Sequence, residues 1–245
     1  MIMRKSIAAV CGILFSASSL ANCHNHLNFG VPGNSDQQLC REGYALGYNY
    51  STKVADWVAY RLTADSVNLS FTRSDKFKED GELPVSSRST LSDYYKSGYD
   101  RGHMAPRASV DVTKNAELES FLMSNMAPQR PGFNRVGWRI LEETIRDWTN
   151  TYGELHVVTG PIYYGNEANI GEGVAIPGAF YKVILDPYYN EAIGFVIPHR
   201  DVSGSELEGF ITTVDEVEAL TGLDFFADLP DKVEIEAEAQ WWQMW

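Results

Sequence analysis

Moving a proton near neutral pH suits histidine, whose imidazole titrates at about 6.5 and accepts a proton in its neutral form. One histidine of this chain sits in Asp100-Arg101-Gly102-His103-Met104-Ala105-Pro106, two residues after an arginine, on an expected turn made by Gly102 and closed by Pro106. Gly102 allows close backbone approach, and Arg101 can contact phosphate. Further on come Ser124-Asn125-Met126-Ala127-Pro128-Gln129, a Pro131-Gly132 break, and a helical pattern opened by Asn134 that carries Glu142 and Arg146. Hydrolysis of a phosphodiester needs an activated water, neutralisation of the pentacovalent charge, and help for the departing oxygen. One imidazole, two amides, one carboxylate and two guanidiniums supply that kit, and a metal ion can serve the last two needs together. Magnesium keeps most of its waters and takes one or two protein ligands. Asn134 is therefore a candidate anchor, with Glu142 acting through a water.

Each of these residues also has a plainer reading. An isolated histidine is most often a hydrogen-bonded structural residue, and His24, His26, His156 and His199 are read that way. The helix alone reads as an N-cap at Asn134 with an exposed Glu142–Arg146 ion pair four residues apart. On an α-helix the eight residues from Asn134 to Glu142 turn through about 80°, so both can face one cleft.

Periodicity indicates the elements that must hold these groups. Residues 54–62, 155–159, 180–185 and 192–197 read as strands. The last two are joined by Asp186-Pro187-Tyr188-Tyr189-Asn190, a turn-rich link that suggests an antiparallel pair. Residues 135–149 read as a helix with Trp138, Leu141, Ile145 and Trp148 on one face. Thr213 and Glu216 form a capping-box pattern, and Gly222 is the matching C-cap. Antiparallel strands with a few packed helices make the fold class α+β.

The first 21 residues read as a signal peptide: Arg4 and Lys5, a short apolar run from Ile7 to Phe15, and Ser19-Leu20-Ala21 before the cut. That run is too short for a membrane span, and none follows, so the expected protein is exported and free of the membrane. Residues 22–245 are then a single domain without linkers or repeats. Cys23 and Cys40 remain as a pair, and in an oxidising compartment a disulfide between them is expected. The rival is a metal site from Cys23, His24 and His26. Losing Arg4 and Lys5 takes the formal net charge from −13 to −15, an unpromising balance for a partner of nucleic acid. The charge is segregated, however. Residues 101–139 carry six basic and three acidic side chains, whereas residues 201–238 carry twelve acidic ones and only Lys232. The acidic stretch reads as a solubilising surface.

Taken together, these motifs resemble the DNA/RNA non-specific endonucleases of the Serratia nuclease type, related to mitochondrial endonuclease G. The resemblance rests on Asp100-Arg101-Gly102-His103 with Ala105-Pro106, on Ser124 to Gln129, and on Asn134, Trp138, Glu142 and Arg146 in unbroken register. It extends to Ala55–Tyr60, Val158–Pro161 and Thr213–Glu216 through Leu223, and so spans nearly all of residues 22–245. The resemblance implies a ββα-metal (His-Me finger) site beside a central antiparallel sheet flanked by helices. His103 would be the general base, and Asn134 the direct ligand of a hydrated Mg²⁺, with Mn²⁺ as a substitute. Glu142 would orient the metal's waters, and Arg101 and Arg146 would bind the scissile phosphate. Asn125 would support the site as part of the catalytic set, and Arg73 matches a further phosphate-contacting arginine. The acidic balance departs from the family and bears on affinity and salt optimum.

The expected function is a secreted or periplasmic, Mg²⁺-dependent, sugar-non-specific endonuclease that cuts DNA and RNA to 5′-phosphate products. Two alternatives stand beside it. An antibacterial nuclease effector would be marked by an immunity partner, and a silent nucleic-acid-binding module by loss of His103 or Asn134, both of which are intact.

Overall fold

The computed structural model describes Cys23 and residues 25–239. Its strands are β1 (Gln37–Cys40), β2 (Ala45–Asn49), β3 (Val54–Thr63), β4 (Asp100–His103), β5 (Met126–Gln129), β6 (Glu154–Ile162), β7 (Asn169–Ile170), β8 (Val174–Ala175), β9 (Ala179–Asp186), β10 (Glu191–Pro198) and β11 (Ile211–Thr212). Its helices are α1 (Ala64–Val67), α2 (Arg107–Val110), α3 (Lys114–Glu119), α4 (Arg139–Tyr152), α5 (Val214–Thr221) and α6 (Asp231–Glu238). The predicted leader and His24 lie outside the described residues, as do the last six residues.

A seven-stranded antiparallel sheet in the order β1-β2-β3-β6-β9-β10-β11 forms the middle of the molecule. The four expected strands are β3, β6, β9 and β10, each somewhat longer than its apolar run suggested. β9 and β10 pair as the expected hairpin, from Asp186↔Glu191 to Ala179↔Pro198. Asp186 closes it by accepting from the backbone N–H groups of Tyr188 and Tyr189, at 2.8 and 3.1 Å.

Both faces of this sheet are covered, so its central strands are apolar on both sides. In β9 the strand period sorts the side chains. Phe180 and Ile184 join the cluster that includes Trp138, Leu141, Ile145 and Trp148, while Tyr181, Val183 and Leu185 join a second cluster with Val214, Val217, Phe225 and Ala237. Helix α4 thus lies on one face, and α5 and α6 on the other. The expected apolar stripe of the helix is buried as read.

Three local expectations are corrected. Gly102 is not in a turn but in β4, paired with Ala127 of β5. It is glycine because the buried Gln129 side chain lies across it, and a Cβ would collide with that amide. The helix does not begin as α-helix at Arg135. Residues Phe133–Trp138 form a π-helical turn that runs into α4 at Arg139, so Asn134 is inside the helical path rather than at its N-cap. Around α5, Thr213 Oγ1 accepts from the Glu216 N–H as expected, but the Glu216 carboxylate takes the Thr212 hydroxyl instead of completing the box. Gly222 is the left-handed C-cap at φ +71°.

Cys23 and Cys40 form the expected disulfide, with Cα atoms 5.1 Å apart. This removes the rival metal site, because the Cys23 sulfur is spent. His26 is also engaged, by Glu42 O at 3.1 Å and by the Arg61 N–H at 3.3 Å. No helix among the described residues is long and apolar enough to cross a membrane.

Candidate active site

Strands β4 and β5 form a separate antiparallel pair in which His103 lies opposite Met126. With the π-helical turn and α4 they make a ββα unit. The chain between the two strands returns through α2 and α3, and Asn125 holds that return. Fully buried, it accepts from the Ala105 N–H at 2.9 Å and donates to Ala105 O and Ser120 O at 3.0 and 2.9 Å. Those bonds fix the backbone just after His103. Asn125 is absent from the cleft wall, so its placement suits positioning and not contact with a substrate.

The other residues singled out in the sequence meet in one cleft of about 560 Å³, lined by Arg73, Arg101, His103, Asn134, Glu142 and Arg146 among others. Two come from β4 and one from the loop before it. The remaining three come from the helical path, which the π turn widens at Asn134. Such turns recur at functional sites because they shift the phase of the side chains after them. Gly137 within the turn lies so close to Val202 that a Cβ would meet the Val202 carbonyl oxygen at 2.8 Å.

Ion pairs sort the charged groups of the cleft. Arg73 pairs with Asp75 at 2.6 Å, Arg135 with Asp100 at 2.6 Å, and Arg139 with Glu143 at 2.5 Å. Arg107 pairs with Asp111 at 3.0 Å. Among the described residues, Arg101, Arg146 and Glu142 are left without an ion pair. Arg101 lies 4.0 Å from the centre of the Phe77 ring, and Arg146 donates to Ser109 Oγ at 3.3 Å. The plain reading of Glu142 and Arg146 as an exposed salt bridge is therefore not what forms.

Asn134 is oriented by Asp100. Its Nδ2 donates to Asp100 Oδ2 at 3.0 Å, which leaves Oδ1 with no hydrogen-bond donor among the described residues. Asp100 is itself gripped twice by Arg135. Burial raises its carboxyl, but the bonds from Arg135 and Asn134 outweigh that and hold it below the usual range.

His103 is packed between Phe77 and Phe121, with ring centroids 5.9 and 5.2 Å away. Its Nε2 is enclosed without a partner. Burial, followed by the charges of Arg73, Arg107 and Arg101 and opposed by Asp75, pushes the imidazole down to about 3. It is neutral at physiological pH, and its basicity depends on the charges around it.

Sequence reasoning missed Lys182, in register with Phe180 and Ile184 on the α4 side of β9. It is fully buried, 4.2 Å from the centre of the Trp138 ring, and bonded to Tyr60 Oη at 3.3 Å and Thr159 Oγ1 at 3.4 Å. Burial lowers its ammonium to about 8, while the charge of Glu142 resists. Burial likewise raises Glu142 to about 7, against Lys182 and Arg146. A lysine in an apolar run was the available signal, since a buried ammonium needs an opposing charge. Of the remaining histidines, His26, His156 and His199 are structural, as read, and His24 lies outside the described residues. His156 meets Glu154 at 3.0 Å, and His199 bonds to Pro177 O at 2.7 Å and the Arg130 N–H at 2.8 Å.

The chain is similar to known nucleases in sequence and in fold. The family model described as DNA/RNA non-specific endonuclease matches residues 23–232. Nuclease C1 of Cunninghamella echinulata var. echinulata is 38% identical, over 85% of this chain and 90% of its own. The nuclease of Serratia marcescens is 32% identical over 92% and 90%, and human mitochondrial endonuclease G is 32% identical over 82% and 73%. A chain in the crystal structure of the EndoG/EndoGI complex superposes with a TM-score of 0.80 at 33% identity, covering 85% of this chain and 93% of that one.

Proposed function

The chain belongs to the DNA/RNA non-specific endonuclease family, a family of nucleic-acid hydrolases, and from that premise we propose that it is an exported, Mg²⁺-dependent endonuclease cutting DNA and RNA without regard to sugar. The observation that carries this reading is the sorting of charge in the cleft. Two guanidiniums and one carboxylate stand unpaired beside a neutral imidazole, while the remaining arginines are tied down.

In this mechanism Arg101 and Arg146 bind the scissile phosphate and stabilise the charge that grows on its oxygens. The incoming phosphate offsets Arg73, Arg101 and Arg107, and so raises the basicity of His103 as it binds. His103 takes a proton from water as the water oxygen bonds to phosphorus. The bond to the 3′ oxygen breaks and that oxygen takes a proton from solvent water, leaving a 3′-hydroxyl and a 5′-phosphate. The oxygen donors left free, Asn134 Oδ1 directly and the Glu142 carboxylate through water, are hard ligands that fit Mg²⁺ or Mn²⁺. Bound there, the ion would neutralise phosphate charge and ease departure of the leaving oxygen. The residues around the cleft make no base-reading array, which accords with contacts to the backbone of the substrate.

Export is supported by the leader pattern and by the disulfide, since such bonds persist in oxidising compartments. The test is a nuclease assay of the mature protein on circular DNA and on RNA. Cleavage of both with Mg²⁺ and none in EDTA is expected. Cutting that persists in EDTA would refute the metal assignment, and inactivity under all conditions would leave the silent binding module.

A further inference from the structure

A second groove of about 270 Å³ opens from the cleft at Asp100 and Arg101, which line both, and runs past Tyr94, Tyr95, Lys96 and Tyr99. Tyr94 is buried, but Tyr95 is 74% exposed. The backbone that presents Tyr95 is held firmly. Asp93 accepts from the Thr90 and Glu172 N–H groups at 2.7 and 2.6 Å. Ser97 Oγ donates to Tyr94 O at 3.0 Å and accepts from the Tyr99 N–H at 3.1 Å. Lys96 adopts a left-handed backbone at φ +55°, a conformation unfavourable to a residue with a side chain. Its Nζ lies 5.2 Å from the centre of the Tyr95 ring, and the Arg130 guanidinium lies 6.0 Å from that of Tyr99. Neither cation has an ion pair among the described residues. An exposed ring on a held backbone, with one unpaired cation beside it and a second against the neighbouring Tyr99, continuous with the candidate cleft, is the arrangement that holds single-stranded nucleic acid.

Resting on the nuclease reading above, we propose that this groove is a nucleotide subsite, in which an unpaired base next to the scissile phosphate stacks on Tyr95 while Lys96 and Arg130 meet the phosphates of the same strand. The base must be unpaired, because inside a duplex both of its faces are covered by neighbours. Stacking accepts every base, so such a site adds affinity without sequence preference.

The test compares wild type with Tyr95→Ala and Tyr95→Phe on three substrates: a short single-stranded oligonucleotide, the same strand with abasic positions, and the corresponding duplex. Tyr95→Ala is expected to raise KM on the single strand about ten-fold with kcat unchanged, and to leave the abasic strand and the duplex unaffected. Tyr95→Phe keeps the ring and should restore the wild-type value. Unchanged KM on the single strand, or an equal loss on all three substrates, overturns the subsite. Fluorescence anisotropy of the same oligonucleotides reads the groove without turnover. An inactive wild type would therefore defeat the nuclease reading and still leave the stacking measured, whereas an active wild type indifferent to Tyr95→Ala defeats the subsite alone.

Discussion

At the scale of single residues, the candidate site is defined by which groups lack partners. Asp100 takes up Arg135 and the amide nitrogen of Asn134 together, so one carboxylate removes a competing cation and presents an amide oxygen. The proposed roles separate under substitution. His103→Ala removes the proton acceptor, and turnover should fall by about 10²–10⁴-fold or more with little change in substrate binding. Asn134→Ala should also cripple turnover, with partial recovery at high Mg²⁺, because the metal's anchor is lost and not the base. Arg146→Ala should lower turnover while Mg²⁺ affinity stays near normal. Turnover measured across a Mg²⁺ titration distinguishes the three, and near-normal activity in His103→Ala would sink the mechanism.

At the scale of elements, β4 is the piece on which the site depends, since it carries Arg101 and His103 on either side of Gly102. Gln129 crosses Gly102 and is fully buried, so it has no room to swing away. Gly102→Ala should therefore push β4 from β5, costing about 1–3 kcal/mol of stability by overpacking and displacing both functional side chains. Urea denaturation read beside turnover tests this, and a variant with full activity and unchanged midpoint would show that the crossing matters to neither. Lys182 belongs to the same scale. Its position is set by the β6–β9 register, which pairs it with Thr159, and that pairing brings an ammonium beneath α4 where Glu142 emerges.

Over the whole molecule, charge is divided by the sheet. Helices α5 and α6 pack on the face away from α4, and residues 215–238 around them hold nine acidic side chains and one lysine. The acidity thus sits behind the cleft, and none of these residues lines it. Asp215, Glu218 and Glu238 bring carboxylate oxygens within 4.8 Å of one another. Burial first, then Glu218, Glu234, Asp215 and Asp224, raises Glu238 from 4.5 to about 8. A raised carboxyl holds a proton in the folded state that the unfolded chain has released. Its stabilisation is complete below about pH 4.5 and is lost as pH rises through 8. The melting temperature should decline over that window, and Glu238→Gln should flatten the decline; an equal slope in both proteins would contradict it. The Cys23–Cys40 disulfide acts at the same scale by closing a 17-residue separation. Replacing both cysteines with serine should cost about 3 kcal/mol by the chain-entropy estimate, with metal dependence unchanged, as chemical denaturation and a Mg²⁺ titration would report.

Features that depend on neighbours along the chain could be read from residue order. The strand periods at 54–62 and 180–185, the apolar stripe from Trp138 to Trp148, the left-handed cap at Gly222 and the cysteine pair were all legible, because each is set by local geometry or by residue type. So were His103, Asn134, Glu142 and Arg146, whose spacing is the motif itself. The tertiary structure alone decided which charges stay free, since Asp100 finds Asn134 and Arg135 only after β4 comes beside the helix. It also decided that Asn125 is a buried brace, that Gly102 is a strand residue under Gln129, and that the helical path widens where it passes Val202. Lys182 and Tyr95 belong with these. Register across the sheet buries one and a turn held by Ser97 exposes the other, and neither long-range pairing nor exposure is written in the spacing of residues along the chain.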